Sequence, residues 1–162
     1  PRTRTGGPAA PGELHPSRGG RSPGRRRGFF FALRLYSRAM HFTLLVLAAP
    51  DLGAGNGHAL RFARAALTAG HAIELVFFQD AGVLTGLAGC EAPQAEDDLR
   101  HAWSDLGTGH DLSLVACSAS AARFGVDDGR DLSRLMPGFT VGGLGELATA
   151  RTRSDRILTF PS

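Results

Sequence analysis

The chain has 162 residues, 43% of them apolar, which suits one domain of ordinary globular composition. Residues 1–39 hold nine arginines and one acid, whereas residues 40–162 hold nine arginines and fourteen acids. The larger segment is therefore acidic, which argues against a nucleic-acid-binding domain, and it has no apolar run of the roughly 18–20 residues needed to span a bilayer.

The first 39 residues are rich in Arg, Gly, Pro and Ser. Such a segment buries too little apolar surface to offset its ordering entropy, so we expect a disordered extension. Met40 stands immediately before a strand-like run, and we interpret it as the start of the native protein. Three alternatives stay open for residues 1–39: a twin-arginine export signal around residues 25–30, an organellar transit peptide, and a basic binding arm.

From Met40 the pattern alternates between strands and helices. Phe42 to Ala48 is a continuous apolar run that predicts a buried strand. Asn56 is placed to cap a helix that ends before Gly70, and its apolar residues recur every three or four positions. Ile73 to Phe78 predicts a second strand.

The second half continues the alternation. A Gly-rich loop is expected over residues 80–94. A helix with acids in its first turn follows and stops at Gly107, and a strand over Leu112 to Ala116 then ends in Cys117. Two short helices come next, one over Ser118 to Phe124 and one from Asp127 or Asp128 to Leu135. The last predicted elements are a helix around Leu144, Leu147 and Ala148 and a strand over Ile157 to Phe160.

This order predicts an α/β fold, in which residues 40–162 form a single three-layer domain. We expect a mostly parallel sheet of about five strands with helices on both faces. Chemistry in such sheets lies at the carboxyl ends of the strands. We therefore expect functional residues in the segments that follow Ala48, Phe78 and Ala116.

Cys117 is the strongest catalytic candidate. It ends a predicted strand and precedes a helix whose first backbone N–H groups, on Ser118, Ala119 and Ser120, would point toward its sulfur. A helix N-terminus favours the thiolate form of a cysteine, which is the nucleophile in sulfur exchange. Ser118 or Ser120 would also be placed to hydrogen-bond a persulfide. The alternative is an unreactive buried thiol.

Other candidates are weaker. Gly53 to Gly57 followed by Asp80 resembles a dinucleotide-binding turn with its ribose-binding acid, but His58 replaces the third glycine. Cys90 is either a resolving thiol or a passive loop residue. Arg123 is either a docking residue or an ordinary surface arginine. The histidines lack metal-ligand spacing, so we expect no metal site; they are His15, His41, His58, His71, His101 and His110.

Three segments resemble the TusD/DsrE family of sulfur-relay proteins. The first, AGHAIELVFFQDAGV, spans residues 69–83 and contains a Gly-His turn and a strand ending in Phe-Phe. The second, LSLVACSASAARFGV over residues 112–126, places Cys117 ahead of an Ala-rich helix. The third, over residues 138–160, matches the family pattern G-F-T-x-x-G-L-G-x-L-A and its D-R-[IV] strand. The extension over residues 1–39 and Cys90 lie outside the family pattern.

The resemblance implies a sulfurtransferase that needs no cofactor and carries sulfur as a persulfide on Cys117. Separately, the cysteine content does not indicate a secreted disulfide framework and no apolar run spans a bilayer, so we expect a cytoplasmic protein. The resemblance also implies a hetero-oligomer with TusB- and TusC-like (DsrH- and DsrF-like) subunits, a TusA-like donor and a TusE- or DsrC-like acceptor, without direct contact to nucleic acid or membrane. The sulfur would serve 2-thiolation of a tRNA wobble uridine or, alternatively, sulfur oxidation. A non-catalytic scaffold subunit and a nucleotide-binding module are the remaining alternatives.

Overall fold

The computed structural model describes residues 38–50, 54–89, 93–125 and 134–161. Within them the elements are β1 (His41–Val46), α1 (Ala54–Thr68), β2 (Ala72–Phe78), a 3₁₀ helix (Asp80–Gly86), α2 (Gln94–His110), β3 (Leu114–Cys117), α3 (Ser118–Arg123), β4 (Phe139–Gly142), α4 (Leu144–Arg153) and β5 (Arg156–Phe160). Residues 1–37, Cys90 and the helix predicted from Asp127 or Asp128 lie outside or largely outside these ranges. None of the described helices is long and apolar enough to cross a membrane.

All neighbouring strands are parallel, in the order β4-β3-β2-β1-β5. From β1, the chain adds β2, β3 and β4 in turn on one side, and it then returns to add β5 on the other side of β1. One irregularity interrupts the register of β1 and β2, between Phe42 and Thr43. Parallel strands need crossover connections, and helices supply them here.

Each face of the sheet packs against its own apolar cluster. On one face, α1 and α2 pack through Ala59, Ala63, Trp103 and Leu106 against side chains such as Leu44. On the other face the cluster contains Leu75, Phe77, Val115, Cys117 and Ala150, the last from α4. Alternate residues along each strand serve opposite faces, as a buried parallel sheet requires. The predicted three-layer α/β architecture is confirmed.

Asn56 does not cap α1, because the helix begins at Ala54 and Asn56 lies inside it, fully buried. Its amide nitrogen donates to the Ala48 carbonyl at 2.9 Å and to Thr85 Oγ1 at 2.7 Å. Its amide oxygen accepts a hydrogen bond from Trp103 Nε1 at 2.8 Å. The Asn56 side chain thus joins the segment after β1 to the 3₁₀ helix and α2. Partners distant in sequence decide its role, rather than the local helix-capping pattern.

Other local expectations were wrong as well. Gly107 does not end α2, which continues to His110 and is capped by Asp111 in the left-handed conformation. Residues 80–86 form a 3₁₀ helix where a loop was predicted. The helix predicted around Leu144, Leu147 and Ala148 is present as α4. Its buried side is formed by Ala150 and the half-buried Leu147, whereas Leu144 and Ala148 are exposed.

Candidate active site

Cys117 is the last residue of β3, and α3 begins at the next residue. Its backbone is extended, with φ −59° and ψ 121°, and turns into the helix at Ser118. β3 lies between β2 and β4, so the thiol stands at the carboxyl edge of an interior strand. This is where the sequence placed Cys117, and where α/β sheets place their chemistry.

The thiol is shielded by its own domain. Cys117 is only 4% exposed, and it belongs to the apolar cluster on the sheet face covered by α4. Val83, from the 3₁₀ helix, is part of the same cluster and is fully buried. Little of the Cys117 side chain is therefore accessible to a reagent from solvent.

The three residues after Cys117 have different surroundings. Ser118 is half-buried, Ala119 is exposed and Ser120 is buried. Ser120 Oγ accepts a hydrogen bond from the Asp80 backbone N–H at 3.0 Å. The Ser120 hydroxyl thus attaches α3 to the end of β2.

Asp80 and Gly82 shape the neighbouring strand end. Asp80 adopts a left-handed backbone with φ 50°, which is uncommon for a residue with a side chain. The Gly82 N–H donates to the Leu47 carbonyl at 3.0 Å, and a Cβ at Gly82 would collide with the Val46 carbonyl oxygen. Only glycine allows the 3₁₀ helix to cross so close to β1.

On the other side of Cys117 lies β4, a strand that was not predicted from the sequence. Gly142 is the register partner of Cys117. The space that a Cβ at Gly142 would occupy holds Glu146 Oε1, and Val115 Cγ1 lies 2.7 Å from that position. Glu146 was not singled out from the sequence, because only the pairing of β3 with β4 brings it near Cys117.

Two exposed apolar side chains lie shortly after β4 and α3. Leu144, at the start of α4, is 60% exposed, and Phe124, after α3, is 37% exposed. The Arg123 guanidinium lies 5.6 Å from the centre of the Phe124 ring, a cation–π arrangement. Arg123 is thus an exposed residue with an aromatic partner.

The glycine-rich turn before α1 is packed against protein. A Cβ at Gly55 would collide with the Pro161 carbonyl oxygen and lie 3.0 Å from Ala48 Cβ. Close packing accounts for this glycine without a bound phosphate, while Gly53 lies outside the described residues. In the described part of the chain, no three His, Cys, Asp or Glu side chains converge as metal ligands would.

Comparison with known proteins places the chain among sulfurtransferases by similarity. Residues 40–160 match the sequence profile of the DsrE/DsrF-like family. The chain is 33% identical over 128 residues to the putative sulfurtransferase DsrE of Allochromatium vinosum, a match covering 75% of this chain and 98% of that protein. It is 37% identical over 124 residues to sulfurtransferase TusD of Pectobacterium carotovorum, covering 72% and 96%.

The fold has a solved counterpart. The crystal structure of the E. coli YchN protein superposes with a TM-score of 0.62 at 20% identity and covers 75% of this chain and 99% of that one. At this identity the likeness concerns the fold. It agrees with the five-stranded parallel sheet described above.

Proposed function

The chain belongs to the DsrE/DsrF-like family, and from this premise we propose that it is a sulfurtransferase that carries sulfur as a persulfide on Cys117. The observation that carries the proposal is the position of Cys117 at the carboxyl edge of an interior strand, directly before α3. Backbone N–H groups in the first turn of a helix lack intrahelical partners. Those of Ser118, Ala119 and Ser120 would stabilise negative charge on the sulfur.

The transfer needs two exchanges. The Cys117 thiolate attacks the outer sulfur of a donor persulfide, the donor's S–S bond breaks, and the donor leaves as a thiolate while Cys117 gains the terminal S–H. A thiolate of the acceptor then attacks that outer sulfur, and Cys117 leaves as a thiolate. The sulfane sulfur keeps its oxidation state throughout, so neither an oxidant nor a cofactor is required.

The burial of Cys117 favours protein partners. A thiol that is 4% exposed is reached more readily by a cysteine that a bound partner protein holds against it than by a freely diffusing reagent. We propose a TusA-like donor, a TusE- or DsrC-like acceptor, and a hetero-oligomer with TusB- and TusC-like (DsrH- and DsrF-like) subunits. The exposed Leu144 gives such contacts an apolar anchor beside the site. The cytoplasm, where thiols are kept reduced, is the compartment that suits this chemistry.

The destination of the sulfur has two candidates. Relatives named TusD support delivery toward 2-thiolation of a tRNA wobble uridine, and the relative named DsrE supports sulfur oxidation at a similar identity. We favour tRNA thiolation, with the protein acting upstream and without touching the tRNA. The acceptor distinguishes the two: transfer to a TusE-like protein alone supports the first, and transfer to a DsrC-like protein alone supports the second.

The proposal is tested by intact mass spectrometry of the full chain after incubation with a persulfide-loaded TusA-like donor. We expect a gain of one sulfur atom, removed by reductant and absent from Cys117→Ser. The matched control is Cys90→Ser, which should gain the sulfur normally. No gain in the wild type with the partner subunits present would favour a non-catalytic scaffold, and an equal gain in Cys117→Ser would move the carrier to Cys90.

A further inference from the structure

The register of β3 and β4 brings the Glu146 carboxylate near Cys117 on the same face of the sheet. Cys117 and Gly142 are register partners in parallel strands. Side chains of register partners point to the same face, and adjacent strands lie about 4.7–4.9 Å apart. The position of a Cβ at Gly142 is therefore about one strand spacing from the Cβ of Cys117.

Glu146 fills that position. Its Oε1 occupies the space of the missing Cβ, and its Cδ lies 2.6 Å from the same point. Val115, two residues before Cys117 on the same face, also contacts this space, with Cγ1 at 2.7 Å. The absence of a side chain at Gly142 thus admits the Glu146 carboxylate between β4 and α4, about one strand spacing from the Cβ of Cys117.

The Glu146 charge is not neutralised by a neighbour in the described part of the protein. Glu146 is exposed on α4, and no ion pair joins it to a described arginine or histidine. Glu74, on the same face, differs in this respect, because Arg153 Nε lies 3.2 Å from its Oε2. Arg153 lines the same cavity as Glu146 but pairs with Glu74. Within the described residues, the Glu146 carboxylate therefore has no ion-pair partner.

We propose that Glu146 determines the specificity of Cys117 by charge: it disfavours small anionic thiols and persulfides and favours partners that approach with a neutral or positively charged surface. The inference rests on the proposed function and refines its donor and acceptor class. The Glu146 charge would act on a reagent through its electric field rather than by contact. It would change the rate for a singly charged reagent by about threefold at low ionic strength, in opposite directions for an anion and a cation. Such selection would keep a carried sulfur from anionic metabolite thiols while admitting a basic protein segment.

The test measures how fast Cys117 reacts with methanethiosulfonates that differ in charge. In each case the thiolate attacks the reagent sulfur, a mixed disulfide forms and methanesulfinate leaves. The reagents carry a sulfonate, a trimethylammonium or no charge, and the protein is the full chain with Cys90→Ser. The ratio of anionic to cationic rates is independent of the fraction of thiolate, and the neutral reagent reports access.

In Glu146→Gln we expect the ratio of anionic to cationic rates to rise by about tenfold at low salt, and the rise to shrink at high salt. Glu146→Lys, which reverses the charge, should raise the ratio further. Asp105→Asn removes one charge from the exposed side of α2, on the opposite face of the sheet, and should leave the ratio unchanged. An unchanged ratio in Glu146→Gln, or an equal rise in Asp105→Asn, would overturn the proposal.

Charge selection by Glu146 and sulfur transfer by Cys117 can fail independently of each other. The reagents report the surroundings of Cys117 without any sulfur donor, so charge selection can fail in a protein that carries sulfur. Conversely, a chain that gains no sulfur from a persulfide donor can still show the ratio change. If both hold, Glu146→Gln should also gain sulfur faster from an anionic small-molecule persulfide than the wild type does.

Discussion

The backbone N–H of Asp80 donates to the Ser120 hydroxyl at 3.0 Å across 40 residues of sequence. This bond joins the end of β2 to the first turn of the helix that follows Cys117. Asp80 itself has a left-handed backbone, with φ 50°. The position of α3 relative to the sheet therefore depends on a side chain three residues after the thiol.

Ser120→Ala removes the acceptor and should lower the free energy of unfolding by about 1 kcal/mol, because the Asp80 N–H loses a partly buried partner. Urea unfolding followed by circular dichroism measures the change. Ser118→Ala is the matched control, since Ser118 is half-buried and its hydroxyl has no hydrogen bond within the described residues; we expect a change within about 0.5 kcal/mol. Equal losses in both variants would contradict the role given to the Asp80–Ser120 bond.

Asn56→Ala should be more damaging, because it leaves three groups without their partner: the Ala48 carbonyl, the Thr85 hydroxyl and the Trp103 indole N–H. We expect a loss of about 2–4 kcal/mol in the free energy of unfolding, since buried polar groups without partners are unfavourable. Thr85→Val, which removes one partner at similar volume, should lose less. Denaturant unfolding followed by Trp103 fluorescence checks both; a larger loss in Thr85→Val would contradict this order.

Two glycines of α2 give a matched pair. A Cβ at Gly107 would lie 2.5 Å from Leu114 Cδ1 and 3.0 Å from its Cγ, whereas nothing lies within 4 Å of a Cβ at Gly109. Replacing glycine by alanine inside a helix gains about 1 kcal/mol from helix propensity. Gly109→Ala should therefore stabilise the protein.

Gly107→Ala should instead destabilise the protein, because overpacking against the buried Leu114 costs about 1–3 kcal/mol and exceeds the propensity gain. Thermal and urea unfolding of the two variants should give shifts of opposite sign. Stabilisation by both substitutions would mean that Leu114 moves aside freely.

Asp155 should contribute to stability in a pH-dependent way. Its carboxylate accepts a hydrogen bond from the His41 backbone N–H at 2.9 Å, and this bond, aided by the charges of Arg38, His41 and Arg156, lowers the pKa of Asp155 below its ordinary value of 3.8. Because the pKa of Asp155 is lower in the folded state, the ionised carboxylate stabilises the fold at pH values above the ordinary pKa. This stabilisation is lost as the pH falls through the folded-state pKa.

The variant Asp155→Asn tests this dependence by unfolding across a pH series. The difference in unfolding free energy between wild type and variant should be constant near neutral pH and should shrink below the ordinary pKa of 3.8. Asp105→Asn, exposed on α2, should show no such trend. A difference that grows as the pH falls would contradict the lowered pKa.

Local sequence patterns predicted the elements that are made of continuous apolar runs or regular helical spacing. β1, β2 and β3 are such runs, and Gly70 ends α1 with φ 84°, as expected of a glycine after a helix. β4 escaped prediction because its four residues include the exposed Thr140 and end in Gly142. Its strand conformation depends on pairing with β3, which no local pattern encodes.

Only the part of the candidate site that is contiguous in sequence could be predicted. Cys117 and the residues after it follow from a strand that runs into a helix. Glu146 comes near Cys117 through the register of β3 and β4, and Asn56 meets Trp103 across 47 residues. Both relationships are set by tertiary packing, so a capping rule or a motif does not reveal them.

The order of the strands also affects how the protein is made. β1 pairs with β5 on one side, and the His41–Asp155 bond at that seam joins residues 114 positions apart. During synthesis, β1 leaves the ribosome early but has an open edge until residues 156–160 have emerged. β1 to β4 can assemble on the nascent chain, whereas the sheet is completed only late in translation. The nascent domain therefore exposes the β5-facing edge of β1 to other chains for most of its synthesis.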